Sequence, residues 1–122
     1  MSIPVELPTL VATMATYGEV AFLLTGGDRG RPHIAHVVVG VTDGGLVVGA
    51  GRTSTANVTA RPQAALLFAP VEAGGYSLIV DVDAVVAPDG AGLQLTPTGA
   101  VLHRSAPGAG GGAANDCAPV GG

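Results

Sequence analysis

The chain contains no lysine: its five basic residues are all arginines, Arg29, Arg31, Arg52, Arg61 and Arg104, set against nine carboxylates for a net charge of -4. In sequence these arginines are scattered, whereas nucleic-acid binding normally needs a clustered basic face, so no nucleic-acid partner is expected. Charged residues are only 11% of the chain and aromatic residues 3%, where about 25% charged is ordinary. So few charges cannot cover the protein's own surface. No apolar run approaches the roughly 18 residues of a membrane-spanning helix, so the apolar excess reads as a subunit interface rather than lipid contact. A homodimer is therefore expected. The lone Cys117 has no partner for an internal disulfide and no second cysteine for a thiolate metal cluster. The start, Met1-Ser2-Ile3-Pro4-Val5-Glu6, lacks the basic residues and continuous apolar segment of a secretory signal, which makes the cytoplasm the default location. A Ser/His/Asp triad, a phosphate loop with lysine and a zinc-ligand spacing are also missing, so any chemistry would have to be carried by a cofactor.

What is present reads as one domain, since 122 residues leave no room for a second. Residues 8–17 place Leu10, Val11, Met14 and Tyr17 close to one face of a packing helix that Gly18 stops. Runs at 20–25, 32–41, 46–48, 64–68, 76–86 and 93–103 then read as strands, separated by turn signals such as Asp43-Gly44 and Pro88-Asp89-Gly90. Pro97 inside the last run predicts an edge or a bulge. Six strands in sequential hairpins fit a small closed barrel better than an open sheet, which would leave two sticky edges. The expected fold is mainly β: a six-stranded antiparallel barrel with short helices over residues 1–104, followed by a Gly/Ala/Pro-rich tail at 105–122 that cannot build a core.

The most informative stretch is Gly49-Ala50-Gly51-Arg52-Thr53-Ser54-Thr55-Ala56-Asn57. A strand-like run stops at glycines and releases one arginine and three hydroxyls. Thr53 or Ser54 would cap a short helix that Pro62 must end. A phosphate at that helix start would meet free N–H groups, the hydroxyls and the Arg52 guanidinium together. The same residues also suit an ordinary capped turn with a solvated arginine. His33 and His36, three apart on a strand, project to opposite faces and do not jointly hold a metal. Asp81 and Asp83 share a strand face, either as an acid/base pair or as a solvated or arginine-paired surface. No residue stands out as catalytic.

The order of these signals resembles the flavin-binding split-barrel superfamily, the pyridoxamine 5'-phosphate oxidase-like proteins. The matching pieces are Gly30-Arg31-Pro32-His33-Ile34-Ala35-His36-Val37, the Asp43-Gly44 hairpin, the run 47–58 through Arg52 and Asn57, and Ala60-Arg61-Pro62-Gln63-Ala64-Ala65-Leu66. The similarity covers roughly residues 8–104. It implies a split barrel, a homodimer with a flavin in each of two grooves between subunits, and FMN as the cofactor. By the same resemblance Arg52, Thr53, Ser54 and Thr55 hold the phosphate, and Asn57 fixes the local backbone. The backbone of His33, Ile34, Ala35, His36 and Val37 borders the isoalloxazine ring. The implied activity is hydride or electron transfer between flavin and a small substrate, not vitamin B6 oxidation, because the basic C-terminal segment of true pyridoxamine phosphate oxidases is missing. Ala56 stands where the family usually has lysine, and His36 near its usual proline. Two alternatives remain open: a deazaflavin on the same barrel, and a non-catalytic, cofactor-free binding or structural dimer.

Overall fold

The computed structural model describes residues 2–105, so the expectations for the tail and Cys117 lie outside the described residues. The elements are β1 (Ser2–Pro4), a 3-10 turn (Leu7–Thr9), α1 (Leu10–Ala15), β2 (Val20–Gly26), a second 3-10 turn (Asp28–Gly30), β3 (Pro32–Thr42), β4 (Gly45–Val48), α2 (Arg52–Ala60), β5 (Gln63–Phe68), β6 (Ser77–Val86) and β7 (Leu93–His103). The six strands expected from the sequence are β2 to β7. All pairings are antiparallel, and the ring closes in the order β2-β3-β4-β7-β6-β5 and back to β2.

That order corrects the expectation of purely sequential hairpins. The links β2–β3, β3–β4, β5–β6 and β6–β7 are sequential, but β4 and β5 do not pair. Between them α2 carries the chain across one end of the barrel, so β5 arrives beside β2 (Phe22 opposite Leu67) and β4 is left to pair with β7 (Leu46 opposite Leu95). The sequence reading also missed β1, whose Ser2, Ile3 and Pro4 lie opposite His103, Leu102 and Val101.

Strand alternation sends one set of side chains inward. Leu23, Leu66, Phe68, Leu78 and Val80 have no measurable exposure, and Val37, Val39, Leu46, Val48, Val82, Leu93 and Leu95 fill the rest of the interior. Leu10 and Met14 of α1 and Val58 of α2 complete the core. Each fully buried leucine contributes about 2 kcal/mol relative to an exposed one. Two glycines let β4 approach β7. At Gly45 (φ 132) and Gly92 (φ 116) a Cβ would lie 2.8 Å from the Leu95 carbonyl oxygen and 2.5 Å from that of Val48. The expected irregularity near Pro97 is a bulge: Val82 pairs with Pro97 and Asp81 with Gly99, leaving Thr98 as the extra residue. No helix among the described residues is long and apolar enough to cross a membrane.

Candidate functional site

The cap of helix α2 lies two residues before Thr53 and three before Ser54, the capping residues expected from the sequence. Gly51 is the N-cap in an extended conformation (φ -80, ψ -178), no side chain caps the helix, and the first helical bond runs from the Thr55 N–H to the Gly51 carbonyl at 3.0 Å. This corrects the assignment of Thr53 or Ser54 as cap. The shift has a geometric consequence. Ser54, Asn57 and Val58 fall at i, i+3 and i+4, on one face, and that face is inward: they are 1%, 7% and 3% exposed. Arg52, Thr53 and Ala56 are on the outside, and Thr55 is half-buried with its hydroxyl donating back to the Gly51 carbonyl at 2.8 Å. Of the four residues expected around a phosphate, Arg52 and Thr53 are therefore presented to solvent. The N–H groups of Arg52, Thr53 and Ser54 precede the first helical bond and add the positive end of the helix dipole.

The inward face ties α2 to the barrel. Asn57 Nδ2 donates to Thr25 Oγ1 at 3.0 Å, both groups being buried. At the other end of the helix, Arg61 donates from Nε to the Gly26 carbonyl at 2.8 Å and from Nη2 to Asp28 Oδ1 at 3.2 Å. Sequence reasoning overlooked Thr25 and Arg61. Thr25 had a signal: a hydroxyl at an inward strand position needs a buried partner.

Along β3 the side chains expected beside a ring divide by parity. His33 and Ala35 are half-buried and Val37 is buried, whereas Ile34 and His36 are exposed on the outer face. His33 and His36 do project oppositely. The β3–β4 ladder begins only at Val39 opposite Val48, so, among the described residues, 32–38 have β2 on one side and no strand on the other. Because the Val39 N–H points to the Glu19 carbonyl across β2 (2.8 Å), alternation turns the backbone groups of Ile34, His36 and Val38 away from β2 and onto that open edge. The barrel is split there. Four residues beyond Val48, α2 begins.

The outer surface of β3, β2, β5 and β6 is largely apolar. Ile34 (60% exposed), Val38 (59%), Val20 (49%) and Phe22 (37%) lie on it, with Leu67 opposite Phe22 and Ile79 opposite Leu67. The His36 and Phe22 rings meet at 5.5 Å between centroids. Asp81 and Asp83 are exposed at its margin on β6. The arginines scattered in sequence are gathered in space. Arg29 and Arg31 in the β2–β3 turn and Arg52 and Arg61 on α2 share one end of the barrel, and Arg104 follows β7 at the other.

Five clefts among the described residues are lined by residues other than Arg52 and Thr53; two adjoining ones, sharing Val11 and Val41, flank α1. Among the described residues no group of three His, Cys, Asp or Glu side chains is placed to hold a metal ion.

No protein-family model and no curated protein matches the sequence. Two solved structures match the fold. One is the heme storage protein HutZ from Vibrio cholerae, with a TM-score of 0.62 at 13% identity, over 82% of this chain and 96% of that one. The other is an FAD-binding protein from Mesorhizobium loti, with a TM-score of 0.58 at 12% identity, over 85% of this chain and 98% of that one.

Proposed function

The chain has the split-barrel fold of the pyridoxamine 5'-phosphate oxidase-like proteins, and from that premise we propose that it is a homodimeric FMN-binding oxidoreductase acting on a small substrate. One juxtaposition carries the reading. The open edge of β3 at Ile34, His36 and Val38 lies next to the point where the chain leaves β4 for the N-terminus of α2, and both border an exposed apolar sheet.

The donor set fits a flavin. A strand edge offers alternating N–H and C=O groups, the pattern needed by the pyrimidine edge of the isoalloxazine ring, and Ile34 and Val38 supply an apolar wall. Arg52, Thr53 and the first N–H groups of α2 suit the phosphate. Ser54 is too buried to share in this, and Asn57 acts by holding the helix rather than by touching the cofactor. A bound flavin supplies hydride transfer, so no side chain needs to be a nucleophile. The protein's part is to position the ring and phosphate and, by covering the apolar sheet with a second copy, to exclude water. The exposed area of Val20, Phe22, Ile34 and Val38 is the surface that copy would cover.

Titration of the purified protein with FMN tests the proposal by flavin fluorescence quenching, with FAD and a deazaflavin run alongside. Saturable quenching by FMN is expected. Replacing Arg52 by alanine removes a charge-assisted contact of about 1.5–3 kcal/mol, roughly a tenfold to hundredfold loss of affinity. A folded protein that leaves FMN fluorescence unchanged overturns the proposal.

A second reading, binding without chemistry, is favoured by His36. The exposed His36 imidazole, on an apolar face beside Phe22, would supply a nitrogen ligand if an iron porphyrin were bound there. Under that reading hemin gives a shifted Soret band that is lost in His36→Ala, and FMN gives no quenching.

A further inference from the structure

Helix α1 packs beside the part of β3 that runs on past β2, and a cleft opens on each side of it. The larger, ≈ 420 Å³, is walled by Val11, Met14, Val39 and Val41 and has one charged residue in its lining, Glu19. The smaller, ≈ 300 Å³, is walled by Leu7, Leu10, Leu46 and Pro97 and also has one, Asp43. Val11 and Val41, 50% and 54% exposed, border both, so the two clefts make one groove. No arginine or histidine lines it, and neither carboxylate enters a hydrogen bond or ion pair among the described residues. The backbone adds an acceptor. Thr42 and Gly45 close the β3–β4 hairpin, while the Val39 N–H points the other way, to the Glu19 carbonyl at 2.8 Å. By alternation Val41 also turns its N–H and C=O away from β4. Since β2 starts only at Val20 opposite Val38, no strand among the described residues meets Val41 on that side. Glu19 sits beside Val39 and Asp43 follows four residues further along β3, a separation of about 13 Å at the strand rise.

We propose that this groove binds an aliphatic diamine, a methylene chain with an ammonium group at each end. Each part of such a ligand has its counterpart. The valine and leucine walls take the chain out of water. The carboxylates of Glu19 and Asp43, with the Val41 carbonyl, accept from the ammonium groups, which are donors only. The separation of the two carboxylates sets the length of the chain. An anionic ligand would meet two like charges with no base to offset them, and a neutral one would gain nothing from either carboxylate. The groove shares no residue with the flavin site proposed above.

The test is an amide-resonance NMR titration of the full chain with diaminooctane, and in parallel with octylamine, diaminobutane and octanol. Saturable shifts are expected at residues 11–15, 18–19 and 39–43, weakening as sodium chloride is raised. Glu19→Gln and Asp43→Asn should each lower the affinity for diaminooctane about threefold to fivefold, the range of an exposed ion pair. Octylamine, with one ammonium, should bind more weakly by a similar factor, and diaminobutane, too short to span the gap, more weakly still. Asp83→Asn removes the same charge from the outer face of β6 and should change nothing. The proposal is overturned if the shifts do not saturate, if octanol binds as tightly as diaminooctane, or if Asp83→Asn weakens binding as much as Glu19→Gln. Shifts of the same residues on diluting the protein alone would place a second copy in the groove and overturn it too. Should either groove variant not fold, as judged by circular dichroism, the ligand series on the unaltered chain decides. The experiment needs no flavin, so its outcome is separate from that of the FMN titration.

Discussion

Replacing Asn57 by alanine probes the joint that sets α2 on the barrel. Asn57 is 7% exposed and Thr25 is 3% exposed, and their side chains meet at 3.0 Å. Among the described residues no buried side-chain nitrogen or oxygen lacks a partner, and the substitution would leave the Thr25 hydroxyl as the first. The lost bond and the stranded hydroxyl together cost about 2 kcal/mol, at the centre of the roughly 1–3 kcal/mol range for an unsatisfied buried group. For a domain of this size each kcal/mol moves Tm by about 4–8 °C, so a fall of roughly 10 °C is expected. The exposed Arg61–Asp28 pair, with side chains 40% and 93% exposed, contributes less than about 1 kcal/mol. It cannot compensate. Removing both partners, in Asn57→Ala with Thr25→Val, strands nothing and should recover about 1 kcal/mol relative to the sum of the single changes. Urea and thermal unfolding followed by circular dichroism measure all three variants. A loss below about 0.5 kcal/mol in Asn57→Ala, or strict additivity in the double variant, refutes the assignment of this bond as the anchor of α2.

Other expectations follow from the same geometry. Gly92→Ala places a Cβ 2.5 Å from the Val48 carbonyl oxygen at a φ of 116, so it should lose about 3 kcal/mol or fail to fold. Gly44→Ala, with nothing within 4 Å, should stay within about 0.5 kcal/mol in the same melts. Ile34→Asp combined with Val38→Asp alters residues 60% and 59% exposed. The double variant should keep its circular dichroism spectrum yet sediment as a monomer; a dimer that persists would move the seam to another face.

Much of the barrel is legible in the residues because its strands are bounded by local chemistry. Asp43-Gly44 lies between the paired Thr42 and Gly45, with the positive φ of the hairpin on Gly45, Pro62 follows the end of α2, and Pro97 lies at the bulge against β6. Where the reading failed, the deciding contact was distant. Strand β1 is only three residues long and is a strand because β7 offers it a partner nearly 100 positions away, at Leu102 for Ile3. The cap of α2 was misplaced by two or three residues because Gly51 already supplies the first carbonyl. With the helix begun at Gly51, Ser54 is a buried hydroxyl rather than a surface one. The candidate site was legible to the extent that Arg52 and Thr53 open a helix. Their relation to the open edge of β3 could not be seen, since it depends on β4 ending at Val48 while β3 continues to Pro32 on the other side.

The sequence by itself determined which segments extend, where they turn and which positions are apolar, because alternation, glycine and proline act over a few residues at a time. Tertiary structure alone decided which strands neighbour one another, that among the described residues β3 keeps an unpaired edge, that four arginines separated by up to 32 positions share one end, and that Ser2, His103 and Ser77 form a row. The physical reason is that closing a ring pairs residues by their place around the barrel rather than along the chain. The free energy that selects this arrangement comes from burying the inward set all at once, not from any one segment.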